Sequence, residues 1–125
     1  MKLQQLTPFE HDTLSSVSPD EGIKRFFWIW TLKEAYTKAL GLGLGFDFTR
    51  IQYDVLRNVV LIDGKVPKGW QFTKFETTVG SELYQGVTAE FVGGNDAEIL
   101  TADSGEWLTR YDAVSFVQQA ILELK

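Results

Sequence analysis

At 125 residues, 44% of them hydrophobic and 14% aromatic, the chain is long enough for one compact core and too short for two domains. Its net charge of −5 comes from interleaved acids and bases, which argues against nucleic acid or an anionic membrane as the main partner. The absence of cysteine excludes a disulfide framework and a thiolate metal site, and is compatible with the cytoplasm.

Residues 1–17 have weak periodicity, one proline and several Ser/Thr, and read as a short helical turn or an extended arm. The only histidine, His11, has no ligand-type neighbour at metal spacing and reads as a solvated surface residue. No signal-peptide pattern is present, and the apolar run at 26–30 is far too short to span a bilayer.

A long central helix comes next. Ser18, Pro19 and Glu21 fit a capping box with proline in the first helical position. Gly41 supplies the left-handed stop, which leaves about six turns between the two signals. On a 3.6-residue wheel Ile23, Phe27, Trp30, Glu34, Lys38 and Gly41 share one stripe. The opposite face carries Ile29, Leu32, Tyr36, Ala39 and Leu40. A helix apolar on most sides is covered on most sides, so Glu34 should border a partly desolvated surface. Taken alone, Glu34 and Lys38 read as an ordinary i,i+4 ion pair.

The glycine run 41–45 lacks the Lys-Ser/Thr ending of a phosphate loop and follows a helix instead of preceding one. Residues 50–55 alternate as a strand, with Ile51, Tyr53 and Val55 on one face. Asp63-Gly64 signals a tight turn, with a small hairpin expected between 58–62 and 65–67. Residues 70–79 form a longer strand whose alternation slips between Phe72 and Phe75, as at a bulge. Gly80-Ser81-Glu82 turns it into a strand over 84–92, where Val87, Ala89 and Phe91 share a face. A turn at 93–96 and a short strand at 98–102 come after it. Residues 109–124 carry an amphipathic helix pattern with Ala113, Phe116, Val117, Ala120, Ile121 and Leu124 on its stripe. The expected class is α+β: one domain over 1–125, residues 1–17 being an N-terminal arm, with a long helix on an antiparallel sheet and a closing C-terminal helix.

The pattern Trp30-x-x-Lys33-Glu34-x-x-x-Lys38, continued by Ala39-Leu40-Gly41-x-Gly43-Leu44, resembles the helix motif of the 4′-phosphopantetheinyl transferases. The likeness is to the larger single-chain, eukaryotic type built of two pseudo-repeated halves, and residues 26–55 carry most of it. The resemblance implies transfer of 4′-phosphopantetheine from coenzyme A to a serine of an acyl or peptidyl carrier protein, with Mg²⁺. It implies Glu34 as metal ligand and proton acceptor, Lys38 as phosphate contact and catalytic partner, and Lys33 as a second cofactor-contacting cation. Lys33 points off the stripe and could equally be solvated. Glu10 matches loosely an acidic residue that the family carries before its central helix.

The family's upstream Gly-x-Asp-x-Glu segment does not occur before Ser18, so the match covers the second half of the family's architecture. The family's short homotrimeric form, with its aspartate motif near the N-terminus, is not matched by residues 1–17. The one literal copy of Gly-x-Asp-x-Glu, at Gly94-Asn95-Asp96-Ala97-Glu98, lies downstream and reads as a strand-to-strand turn. Three readings result. One is a C-terminal half, a fragment or a split-out half, active only with a partner half; another is a non-catalytic module that keeps the fold and binds a carrier protein or coenzyme A weakly; the third is a structural α+β domain whose motif helix is fortuitous. Because Phe26, Phe27, Trp28 and Trp30 span most of the wheel, the chain is expected to self-associate when the other half is missing.

Overall fold

The computed structural model describes residues 5–42 and 45–103; the amphipathic pattern at 109–124 lies outside the described residues. Helix α1 (Pro8–Ser15) begins in a full capping box: the Thr7 hydroxyl accepts from the Glu10 amide, and the Glu10 carboxylate accepts from the Thr7 amide. Of the two readings of the N-terminal segment, the helical one therefore holds over Pro8–Ser15. Helix α2 (Pro19–Leu40) starts at Ser18, whose hydroxyl accepts from the Glu21 amide, and stops at Gly41 in the left-handed region at φ 76°. Only half of the expected box forms there, because the Glu21 carboxylate turns along the helix to Arg25.

After a 3-10 turn at Phe48–Arg50, strands β1 (Ile51–Asp54) and β2 (Val59–Ile62) pair antiparallel. Asp63 and Gly64 both take positive φ, as the tight turn requires. The hairpin expected across that turn shrinks to one bridge between Ile62 and Lys65; β2 finds its ladder on β1 instead. The Arg50 guanidinium forks onto both oxygens of Asp63 at 2.9 and 2.7 Å, tying the turn back to the start of β1.

The larger sheet has the order β4-β3-β5, formed by β3 (Lys68–Val79), β4 (Glu82–Asp96) and β5 (Glu98–Asp103). Strand β4 pairs antiparallel with β3 across the Gly80-Ser81 turn. Strand β5 pairs with β3 in parallel, which corrects the all-antiparallel expectation. The chain leaves β4 beside the start of β3 and passes to its other edge, where the Ala97 amide donates to the Pro67 carbonyl; β5 must then run the way β3 runs. The bulge expected between Phe72 and Phe75 lies instead between Lys68 and Trp70. Phe72 faces the core, while Phe75 lies on the other face over Gly86, where any Cβ would collide with its ring. Two aromatic residues serving two faces mimicked a slip in the alternation. Gly93 and Gly94 sit at positive φ within the extended end of β4.

The core is Phe26, Ile29, Leu32 and Tyr36 of α2 against Ile51, Tyr53, Val60 and Phe72, closed by Leu6 and Phe46. Tyr36 stands edge-on to Trp70 with centroids 4.9 Å apart. The Lys74 ammonium lies 4.4 Å from the centre of the Trp28 ring and 3.0 Å from the Tyr53 hydroxyl. Tyr53 in turn donates to the side chain of Asn58. This chain of contacts fastens the small sheet and α2 to β3. Burial lowers the Lys74 ammonium pKa and raises that of the Tyr53 phenol.

Candidate functional site

Helix α2 turns its motif residues in two directions. Lys33, one residue before Glu34, points inward and is 1% exposed. Its Nζ donates to Glu10 Oε1 at 2.6 Å and to the Gln5 carbonyl at 3.0 Å. The solvated position open to it from the sequence is therefore excluded. Burial pushes the ammonium below its usual range, and the Glu10 carboxylate opposes that shift.

Glu34 and Lys38 point outward, one turn apart, with Oε2 and Nζ 4.0 Å from each other. The Lys38 side chain is 75% exposed and that of Glu34 39%. Apolar surface runs up to them along the same stripe. Ile23 and Phe27 are exposed, and Trp30 is half-buried against Phe48. A carboxylate and a mobile ammonium beside an apolar strip can meet a ligand that carries both phosphate and an apolar arm.

No group of three His, Cys, Asp or Glu side chains able to hold a metal ion occurs among the described residues. Mg²⁺ takes few protein carboxylates, keeps several waters and binds substrate phosphates. Glu34, half-exposed and with only a loose partner, fits as one such ligand. Asp96 and Glu98 of the downstream Gly-x-Asp-x-Glu lie at the end of β4 and the start of β5 with Ala97 alone between them, so residues 93–96, expected as a turn, instead extend β4. His11 is exposed.

The residue that the motif reading underrated is Glu10. Its side chain is wholly buried; Oε1 accepts from the Thr7 amide and Lys33, and Oε2 accepts from the Tyr53 amide at 2.7 Å. One carboxylate thus joins the start of α1, the middle of α2 and strand β1. A signal for α1 was present: Thr7-Pro8-Phe9-Glu10 has the same form as Ser18-Pro19-Asp20-Glu21.

Comparison with known proteins matches residues 3–88 to the family model for the 4′-phosphopantetheinyl transferase superfamily. A protein of Paxillus involutus named 4′-phosphopantetheinyl transferase pptA is 55% identical over 121 residues, covering 96% of this chain and 46% of its own length. The L-aminoadipate-semialdehyde dehydrogenase-phosphopantetheinyl transferase of Mus musculus is 30% identical over 81 residues, 55% of this chain and 26% of its own. A phosphopantetheinyl transferase of a Thraustochytrium strain is 38% identical over 53 residues, 41% of this chain and 18% of its own. The chain thus spans less than half the length of these relatives. No solved structure matches. Among the described residues no helix is long and apolar enough to cross a membrane.

Proposed function

This chain belongs to the 4′-phosphopantetheinyl transferase superfamily, and from that premise we propose that its α2 face holds the diphosphate of coenzyme A for transfer of the phosphopantetheine arm to a carrier-protein serine. The observation that carries the reading is the outward pairing of Glu34 with Lys38 at 4.0 Å, while Lys33 is turned into the core. Lys38 meets a phosphate as a flexible point charge. The serine oxygen bonds to the phosphorus that bears pantetheine, and the bond from that phosphorus to the bridging oxygen breaks. The adenosine-bearing phosphate leaves with that oxygen. Glu34 accepts the serine proton, directly or through water.

When bound at Glu34, Mg²⁺ supplies charge neutralisation of the diphosphate and steadies the leaving oxygen. The apolar stripe of Ile23, Phe27 and Trp30 beside Glu34 is the surface on which further protein, either another half or a second copy, would complete the site. A cytoplasmic setting belongs to the same reading, in keeping with the absence of cysteine.

Glu34 is the single carboxylate of the motif on α2, which favours a second reading for these 125 residues acting by themselves: binding of coenzyme A or a carrier protein without turnover. Calorimetric titration of the chain with coenzyme A, with and without Mg²⁺, tests the shared premise. Binding that strengthens with Mg²⁺ supports it. Equal affinity in both, or none, removes Glu34 from the metal site.

A further inference from the structure

We propose that Glu10 and Lys33 are positioning residues which fix the rotation of α2 about its own axis, and so aim Glu34 and Lys38. The inference rests on the reading of that face as the coenzyme A site, and on three bonds that converge on one buried carboxylate. Glu10 takes the Thr7 amide at 2.9 Å, the Lys33 ammonium at 2.6 Å and the Tyr53 amide at 2.7 Å. The first belongs to the cap of α1, the second to α2 and the third to β1. Its two oxygens therefore define a frame made of two other elements, against which one point of α2 is pinned.

Such a frame matters because Glu34 is the very next residue after Lys33. Consecutive residues on a helix project about 100° apart, so holding Lys33 inward dictates where Glu34 points. A turn of α2 by about 10° moves an atom about 6 Å from its axis by about 1 Å. Displacements of that size can cost on the order of a hundredfold in rate when they fall on a reacting group.

Apolar packing, as of Ile29 and Leu32, holds a helix against a sheet but is not directional. A short charged hydrogen bond in a dry core is directional. It is also a costly way to gain stability alone, because a well-packed apolar pair of similar volume often does as well or better. Neither side chain touches Glu34 or Lys38 in the described hydrogen bonds and ion pairs; their action runs through the helix.

The test compares the wild-type chain with the double variant Glu10→Gln/Lys33→Met, which removes both buried charges at nearly constant volume. Three quantities are read: the thermal midpoint, the residual dipolar couplings of the α2 amides, and Mg²⁺-dependent affinity for coenzyme A. The expected result is a midpoint near the wild-type value, altered couplings along α2 and at least tenfold weaker binding. A merely structural pair would leave couplings and affinity unchanged once the fold is kept, and that outcome overturns the proposal, as do altered couplings with unchanged affinity. If the wild-type chain shows no Mg²⁺-dependent binding, the coenzyme A reading fails on its own, and the couplings still decide whether the pair sets the helix. Should the double variant not fold, Lys33→Arg, which keeps the charge, is read the same way: couplings or affinity further from wild type than its loss of midpoint explains support positioning, and wild-type values in both overturn it.

Discussion

The Lys33 ammonium lies 2.6 Å from the carboxylate of Glu10, twenty-three residues earlier in the chain, and both side chains are shut away from water. Neither charge has solvent to fall back on, so the two are worth far more together than either is alone. Lys33→Ala strands the Glu10 carboxylate in the core and is expected to destabilise the fold by about 3–5 kcal/mol. Urea unfolding of the two proteins measures it. A loss below about 1 kcal/mol would mean that water reaches the site and that the pair is not sealed.

Glu34 presents the opposite case. Its side chain is 39% exposed and its contact with Lys38 is long, so Glu34→Gln is expected to change stability by less than about 0.5 kcal/mol. The same change should abolish the Mg²⁺ dependence of coenzyme A binding, because an amide is a poor ligand for a hard cation. Paired titrations with and without Mg²⁺ decide the matter. Retained metal dependence in the variant ends the assignment of Glu34 as ligand.

The contrast between these neighbours marks where the sequence is legible and where it stops. Ser18, Pro19 and Gly41 bound α2 correctly because caps act within one turn of the chain, and the wheel correctly set Glu34 and Lys38 together. The burial of Lys33 was not legible, since it depends on a carboxylate delivered by a different helix. The pairing of β2 with β1 and the parallel course of β5 are likewise choices among distant partners that alternation does not encode. Phe72 and Phe75 misled for a related reason: periodicity reports that two faces are used, and only the fold reveals that the second aromatic ring covers Gly86.

Turnover is a separate question from binding. Glu34 as the one carboxylate of the α2 motif, with no three-ligand cluster among the described residues, is a thin metal site for a reaction that must neutralise a diphosphate. The 125-residue chain is therefore expected to transfer no phosphopantetheine when incubated with coenzyme A, Mg²⁺ and an apo carrier protein. Mass spectrometry of the carrier reads the result directly. A mass gain at an ordinary enzymatic rate would show that the described residues underrepresent the site.

Acid should loosen the two ends of the small sheet, where Asp47 caps the 3-10 turn before β1 and Asp63 holds the turn after β2. Asp47 is held below the usual carboxylate range, first by the Thr49 hydroxyl and then by the Thr49 amide; Asp63 is held down by the Arg50 fork. A carboxyl whose folded pKa is depressed binds fewer protons folded than unfolded. Its contribution is therefore complete above the unfolded value of about 3.9 and disappears as pH falls through the folded one. The urea midpoint is expected to be insensitive to these two groups from pH 7 to about 5 and to fall below about pH 4. Asp47→Asn/Asp63→Asn should flatten that acid limb. An unaltered slope in the variant would mean that other carboxylates govern it.

The outward stripe of α2 makes the last expectation. Ile23 is 56% exposed and Phe27 40%, one turn apart on the helix and on the side that leads to Trp30 and Glu34. Phe26 lies 6.0 Å from Phe27 but is itself buried, so the fold has already taken inward what it can. An apolar strip that ends at the proposed ligand-binding residues is what a protein–protein contact at that site would leave bare. The chain is expected to associate as its concentration rises, and Ile23→Lys/Phe27→Glu to suppress this at a stability cost of about 1–2 kcal/mol, since Ile23 stands more than half in water while Phe27 gives up its edge-on packing on Phe26. Light scattering across a dilution series reads the association, and the variant separates this stripe from other apolar surface such as Phe91, 65% exposed at the far end of β4. A wild-type chain that stays monomeric at high concentration would show that the stripe needs no cover. Association that persists in the variant would move the contact to the sheet.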